Sequence, residues 1–224
     1  MNSSAFVINL PQRPDRRREM EAELKRVNWH AEFFPAIRPT DAGDFPSIGA
    51  RGCFLSHLAV LKEAARRQSD RAIILEDDLN FSRKFEWQKV QSFMESNDWD
   101  IVYPSHFLDD LSDGISPVPS DRGVMSAHFV LINGRAIPRL IDGLEVILGR
   151  PAGHPRGGPM HVDGAYSAIR HQNPDIKTFA AFPVLGYQRS SKSDIAEIRF
   201  FDRIGMLRGP LNALRRLKTS LKDR

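Results

Sequence analysis

Apolar positions along the chain come in short runs set between helical stripes. Ala5–Leu10 (AFVINL) is an apolar run of strand length, and Asp15–Val27 carries Met20, Leu24 and Val27 at helical spacing. Glu32–Ile37 (EFFPAI) reads as a second, proline-interrupted strand, followed by Pro-, Gly- and Asp-rich loop over residues 38–50. Gly52–Arg67 places Leu55, Leu58, Ala59, Leu61 and Ala65 on one helical stripe. Arg71–Leu75 is an apolar strand that runs straight into Glu76, Asp77 and Asp78. A helix is predicted over Lys84–Glu95 and a short strand over Asp100–Tyr103.

The second part repeats these elements with more loop between them. Residues 104–123 hold Ser, Asp, Pro and Gly without periodicity, and a loop of that length inside a compact domain is usually functional or mobile. Val124–Asn133 returns as a strand and Gly134–Leu148 as a helix interrupted by Pro138. Gly149–Pro159 is a second Pro/Gly-rich stretch, after which Met160–Arg170 reads as helix and Thr178–Phe182 as strand. Strands alternating with helices predict an α/β body with a largely parallel sheet.

Composition narrows the class. With 41% hydrophobic residues and 15 glycines in 224, the chain sits in the ordinary globular range. No apolar run approaches the roughly 18–20 residues of a membrane span. The start, Met1 to Val7, shows neither a basic n-region nor a long h-region, so a secretory signal is not expected. A single cysteine, Cys53, excludes an internal disulfide and a Cys-rich zinc site and fits a reducing cytoplasm.

Charge changes the picture more. The formal net charge is +4, but residues 203–224 carry seven basic residues against one acid, a net of +6, which leaves residues 1–202 at −2. The body therefore lacks the single-sign field of a nucleic-acid binder, and no nucleic-acid partner is expected. In the tail, Leu207, Leu211, Leu214, Leu217 and Leu221 form one helical stripe flanked by Arg208, Arg215, Arg216, Lys218 and Lys222. Such a basic amphipathic segment suits a membrane surface, and it equally suits a terminal helix docking its leucines on the body.

Four segments could carry chemistry. Glu76-Asp77-Asp78 follows a buried strand, which delivers carboxylates to the carboxyl edge of a parallel sheet, where α/β proteins bind ligands. A hard divalent cation, Mg²⁺ or Mn²⁺, would relieve their repulsion; the alternative is acids that cap a helix or face solvent. Asn9, Arg13 and Arg16 lie in and after the first loop, where Arg forks could meet a diphosphate, or where a charged helix start is simply solvated. Gly49–His57 brings glycines to a helix start, with Ser56 and His57 behind them. His57 is as readily a bonded core histidine as a catalytic one, and Cys53 reads as a small buried residue. Asp163, after a flexible loop, is either an N-cap or a general base over the sheet edge. A polar loop from Gln188 onward could contact a sugar or phosphate.

Taken in order, INLPQRPDRRREM, FFPAI, GCFLSHLAVLKEA and AIILEDDLNF resemble glycosyltransferase family 25, the lipooligosaccharide and procollagen galactosyltransferase group. VMSAHFVLING, HVDGAYS and FPVLGYQRSSKSDI continue the resemblance more weakly, to about residue 196. The resemblance implies a GT-A-like fold: a single domain over 1–202, with a Rossmann-like nucleotide-sugar half (1–103) and a smaller acceptor half (104–202). It implies a metal-dependent, inverting transfer of a hexose, galactose foremost, from a UDP-sugar to a glycan or lipid-linked glycan in lipopolysaccharide or surface polysaccharide synthesis. Glu76 and Asp78 would hold Mn²⁺ or Mg²⁺. Asn9, Arg13, Arg16, Gly52, Ser56, His57, Asp77 and Gln188 would lie along the donor, with the Gly52–His57 helix more structural than chemical, and Asp163 would act as base. The expected place is the cytoplasm, at the inner face of the membrane if the tail binds lipid. Two rivals remain at this level: a transferase-like binding module without turnover, and a metal-dependent phosphohydrolase recruiting His106, His128, His154 or His161.

Overall fold

The structure is a computed structural model and describes residues 2–189. In chain order the elements are β1 (Ser3–Asn9), α1 (Pro14–Arg26), β2 (Glu32–Pro35), α2 (Ile48–Arg66), β3 (Arg71–Glu76), β4 (Leu79–Phe81) and α3 (Trp87–Ser96). They continue with β5 (Ile101–Tyr103), β6 (Gly114–Pro117), β7 (Phe129–Asn133), α4 (Ile137–Leu148), α5 (Val162–Gln172), β8 (Thr178–Phe182) and β9 (Gly186–Gln188). The basic segment 203–224 lies outside the described residues. Among the described residues no helix is long and apolar enough to cross a membrane.

Seven strands form one sheet in the order β2-β1-β3-β7-β5-β8-β6, and β4 pairs with β9 in a separate ladder. β2, β1, β3, β5 and β8 point the same way, while β7 and β6 run against them, so the sheet is mixed and mostly parallel, as expected. β5 sits between β7 and β8, so residues on both sides of position 103 share one sheet. Strand periodicity of two divides the core between its faces. Phe6, Ile8, Ile74, Val130 and Ile132 point toward α2, α4 and α5, where they meet Phe54, Leu58, Leu61, Leu140, Leu144 and Ile169. Val7, Ile73, Leu75, Phe129 and Leu131 point toward α1 and α3, against Met20, Leu24, Val90 and Met94. Each fully buried side chain of this size contributes about 1.5–3 kcal/mol.

Several boundaries differ from the sequence expectation for local reasons. α2 begins at Ile48, because the Ser47 hydroxyl accepts from Ala50 N at 3.0 Å and caps the helix. Pro138 does not interrupt α4 but sits in its first turn, where its missing N–H costs nothing. The strand expected from Val124 starts only at Phe129, because Ser126 takes φ +86° and turns the chain. Within the expected loop 104–123, β6 adds an edge strand to β8.

Parallel pairing of Ile8 with Glu76 brings the ends of β1 and β3 to one edge. β7 starts at that same edge, and the β4–β9 ladder crosses beside it.

Candidate active site

At this carboxyl edge the three acids have three different environments. Asp77 is saturated: Asn9 Nδ2 donates to its Oδ2 at 2.7 Å and Arg16 Nη1 to its Oδ1 at 2.9 Å. It joins the end of β1 to α1 and so fixes the frame. Asp78 is 7% exposed, and its Oδ2 accepts from Gln188 Nε2 at 3.2 Å and faces Arg16 Nη1 at 3.7 Å. Its Oδ1 is buried with no hydrogen-bond partner. Burial, with the Glu76 charge beside it, pushes the Asp78 carboxyl up to about 7 against the pull of Arg16. Glu76 Oε1 accepts from His57 Nε2 at 3.3 Å and from Cys53 Sγ at 3.4 Å.

A cleft of about 260 Å³ opens over these groups, lined by Arg16, Gly52, Cys53, Ser56, Glu76, Asp77, Asp78, His161 and Gln188. A second cavity of about 240 Å³ shares Cys53, Glu76, His161 and Gln188 with it and adds Phe107, Met125, Ser126, His128 and Asp163. The structure thus gathers eight of the expected site residues around two adjoining spaces. Three others do not line them. Asn9 is turned onto Asp77, His57 is fully buried beneath Glu76, and Arg13 pairs with Asp15 at 2.7 Å. Of the histidines a phosphohydrolase could recruit, His106 and His154 lie outside both spaces, while His161 lines both and His128 lines the second.

Gly52 and Ser56 hold backbone. The Ser56 hydroxyl donates to Gly52 O at 2.6 Å and accepts from Ile37 N at 2.8 Å. A Cβ on Gly52 would stand 2.8 Å from Ile37 O, so only glycine lets the segment after β2 lie against α2.

Asp163 is not the N-cap of α5; His161 occupies that position and Asp163 lies in the first turn. Its Oδ2 accepts from Ser126 N at 2.9 Å and its Oδ1 from Gly164 N at 2.8 Å, which orients the carboxylate at the wall of the second cavity. Ser126, a non-glycine residue at φ +86°, is held in that strained conformation by this bond and by a hydroxyl contact to His128 Nδ1. The Ser105 hydroxyl donates to Gly186 O, so it accepts from His128 Nε2–H at 2.7 Å; Nδ1 then accepts from Ser126. Burial pushes His128 down to about 4 despite the Glu76 charge.

Cys53, Ser126 and Phe107 are site residues that sequence reasoning did not single out for the site, and His128 was named only as a ligand of the rival phosphohydrolase. A cysteine and a histidine four residues apart on a helix, followed by an acid at a strand end, is the signal that could have found Cys53.

The donor set fits a hard divalent cation. Glu76 and Asp78 line one cleft, and Asp78 Oδ1 is a buried oxygen without a partner.

Residues 41–111 match the model of glycosyltransferase family 25 (LPS biosynthesis protein). The chain is similar to that family over this segment. Mouse procollagen galactosyltransferase 2 is 27% identical, over 81% of this chain and 34% of its own length. A Drosophila melanogaster glycosyltransferase 25 family member is 30% identical, over 44% of this chain and 20% of its own length. The chain therefore spans about a third or less of the curated relatives it matches. Among solved structures, a mutant of Drosophila beta-1,4-galactosyltransferase 7 in complex with manganese, UDP-Gal and xylobiose superposes with a TM-score of 0.47 at 9% identity, covering 93% of this chain and 80% of that one.

Proposed function

We propose that this family 25 relative is a glycosyltransferase that moves a hexose, galactose foremost, from a UDP-sugar to a hydroxyl of a glycan acceptor, with inversion. The observation that carries this reading is Asp78 Oδ1, buried and unpartnered beside Glu76 on the floor of a cleft that Arg16 also faces. An orphaned carboxylate oxygen costs stability, and a cation with a diphosphate would satisfy it. The procollagen galactosyltransferase relative supports galactose, and the family's description as an LPS biosynthesis protein supports an acceptor in surface glycan synthesis.

Glu76 and Asp78 would hold Mn²⁺ or Mg²⁺, which neutralises charge on the departing diphosphate. Arg16 stands where it can add hydrogen bonds to the same oxygens. The acceptor enters the second cavity, where Phe107 and Met125 are exposed and offer apolar surface to a pyranose face. Asp163, held by Ser126 N and Gly164 N, takes the proton from the acceptor hydroxyl. That oxygen bonds to the anomeric carbon as the bond to UDP breaks on the opposite face. A glycan or a lipid-linked glycan at the inner face of the membrane fits the acceptor side.

A sugar-nucleotide screen with Mn²⁺ by thermal shift tests the donor side: UDP-galactose should stabilise the chain by mass action. Asp78→Ala should remove that shift. Asp163→Asn should keep the shift and lower UDP release in the presence of acceptor by 100-fold or more, about 2.7 kcal/mol. A shift unchanged in Asp78→Ala takes the metal off the acids.

A further inference from the structure

We propose that Cys53, His57 and Glu76 form a second metal site, one for a thiolate-binding divalent ion of the zinc type. Cys53 and His57 stand four residues apart on one face of α2, and Glu76 ends β3 opposite them. Their Sγ, Nε2 and carboxylate oxygen all lie within 4.8 Å of one another. Sγ to Oε1 is 3.4 Å and Nε2 to Oε1 is 3.3 Å. A tetrahedral ion with bonds of about 2.3 Å to sulfur and about 2.0 Å to nitrogen and oxygen requires ligand edges of about 3.3–3.5 Å. Both edges fall in that range, and the third, from Sγ to Nε2, is within 4.8 Å, so closing it is the rearrangement the ion requires.

The surroundings complete the set. Tyr166 Oη lies 3.2 Å from His57 Nδ1, so with Nε2 on the metal, Nδ1–H donates to the tyrosine oxygen, and this outer partner fixes the ring. Cys53 and Glu76 line both cavities, which leaves the fourth position to water or a ligand from solvent. On binding, the Cys53 thiol proton leaves to solvent and the imidazole stays neutral, its proton moving from Nε2 to Nδ1. Hard oxygen-seeking ions have little affinity for this set, because thiolate and imidazole are softer donors.

Glu76 belongs to both sets. An ion on Cys53 and His57 therefore withdraws the carboxylate that the Asp78 site shares, and zinc antagonises manganese at the neighbouring position. The proposal does not depend on sugar transfer, since its readout is binding alone.

The chain has one cysteine, so a near-ultraviolet thiolate-to-cobalt charge-transfer band can arise only at Cys53. Titrating the full chain with Co²⁺ under a phosphine reductant should give that band with a stoichiometry of one, and Zn²⁺ should displace it. Cys53→Ser should abolish the band, Asp78→Ala should keep it, and Glu76→Gln should weaken cobalt at least tenfold. His57→Gln should also weaken it at least tenfold, with far-ultraviolet circular dichroism to show that the variant is folded. The absence of a band in the wild type overturns the proposal. So does unchanged cobalt affinity in folded His57→Gln and in Glu76→Gln, which would mark a lone thiol; loss of the band in Asp78→Ala would place the ion on the acids instead.

Discussion

Arg170 and Asp78, two of the buried charged side chains, are buried under opposite terms. Arg170, on α5, is completely buried. Nε donates to Thr178 Oγ1 at 2.8 Å, Nη1 to Arg122 O at 3.0 Å, and Nη2 to Pro119 O at 2.8 Å and Val118 O at 3.2 Å. Those carbonyls pin residues 118–122 to the sheet without any carboxylate. Asp78 is nearly as buried, yet one of its oxygens has no partner. A buried charge that serves the fold is bonded on all sides, because every unmade bond costs on the order of 1–3 kcal/mol. One kept incomplete marks the place where something else binds.

Removing the satisfied charge should cost most. Arg170→Met strands the carbonyls of Val118, Pro119 and Arg122, and urea denaturation should show a loss of about 3–5 kcal/mol. A loss under 1 kcal/mol would break the contrast, since the bonds would then hold nothing.

His128 belongs with Arg170 as a bonded, buried group, and its test is pH. Burial holds the folded imidazole near 4 while the unfolded one titrates near 6.5. As pH falls through that window the unfolded chain takes up a proton that the folded chain refuses, so stability falls with pH, by about 3 kcal/mol in all. Chemical denaturation in EDTA at a series of pH values should show this slope, and His128→Gln should remove it. An equal slope in the variant would mean that the bonded imidazole charges freely.

The smallest effect has the opposite sign. Asp78→Asn removes a buried charge whose Oδ1 has no hydrogen-bond partner and keeps an oxygen for Gln188, so the metal-free protein should gain about 1 kcal/mol at pH 8. The same variant should lose Mn²⁺-dependent stabilisation by UDP-galactose. If Asp78→Asn lost stability instead, Asp78 would belong with Arg170.

Most of the frame was legible because it follows period and length. β1, β3 and β5 are short apolar runs, and α1 shows Met20 and Leu24 four residues apart. β4, β6 and β9 were not, because three- and four-residue strands such as Gly114–Pro117 are too short to show a period and are held by backbone bonds to distant partners. The start of α2 at Ile48 was hidden because Gly49 read as loop, and the helix was expected only from Gly52. Gly52 is a glycine inside the helix because Ile37 O leaves no room for a Cβ there. In the site, the acidic run after β3 pointed to the correct edge. What it could not divide was the labour within it. Asp77 is spent on Asn9 and Arg16, Glu76 Oε1 accepts from Cys53 and His57, and Asp78 keeps a buried oxygen with no partner. Those assignments depend on contacts across 19 to 68 residues of chain.

The bond from Ile37 N to Ser56 has a consequence for how ligands are received. The segment after β2 and the helix across from it form one side of the cleft, and that hydroxyl, with the absent side chain at Gly52, ties them together. The entropy of ordering this wall is lost once, when the chain folds, and not again at each encounter. A ligand of the kind proposed would meet a mould already cast, with more of its contact energy left over as affinity.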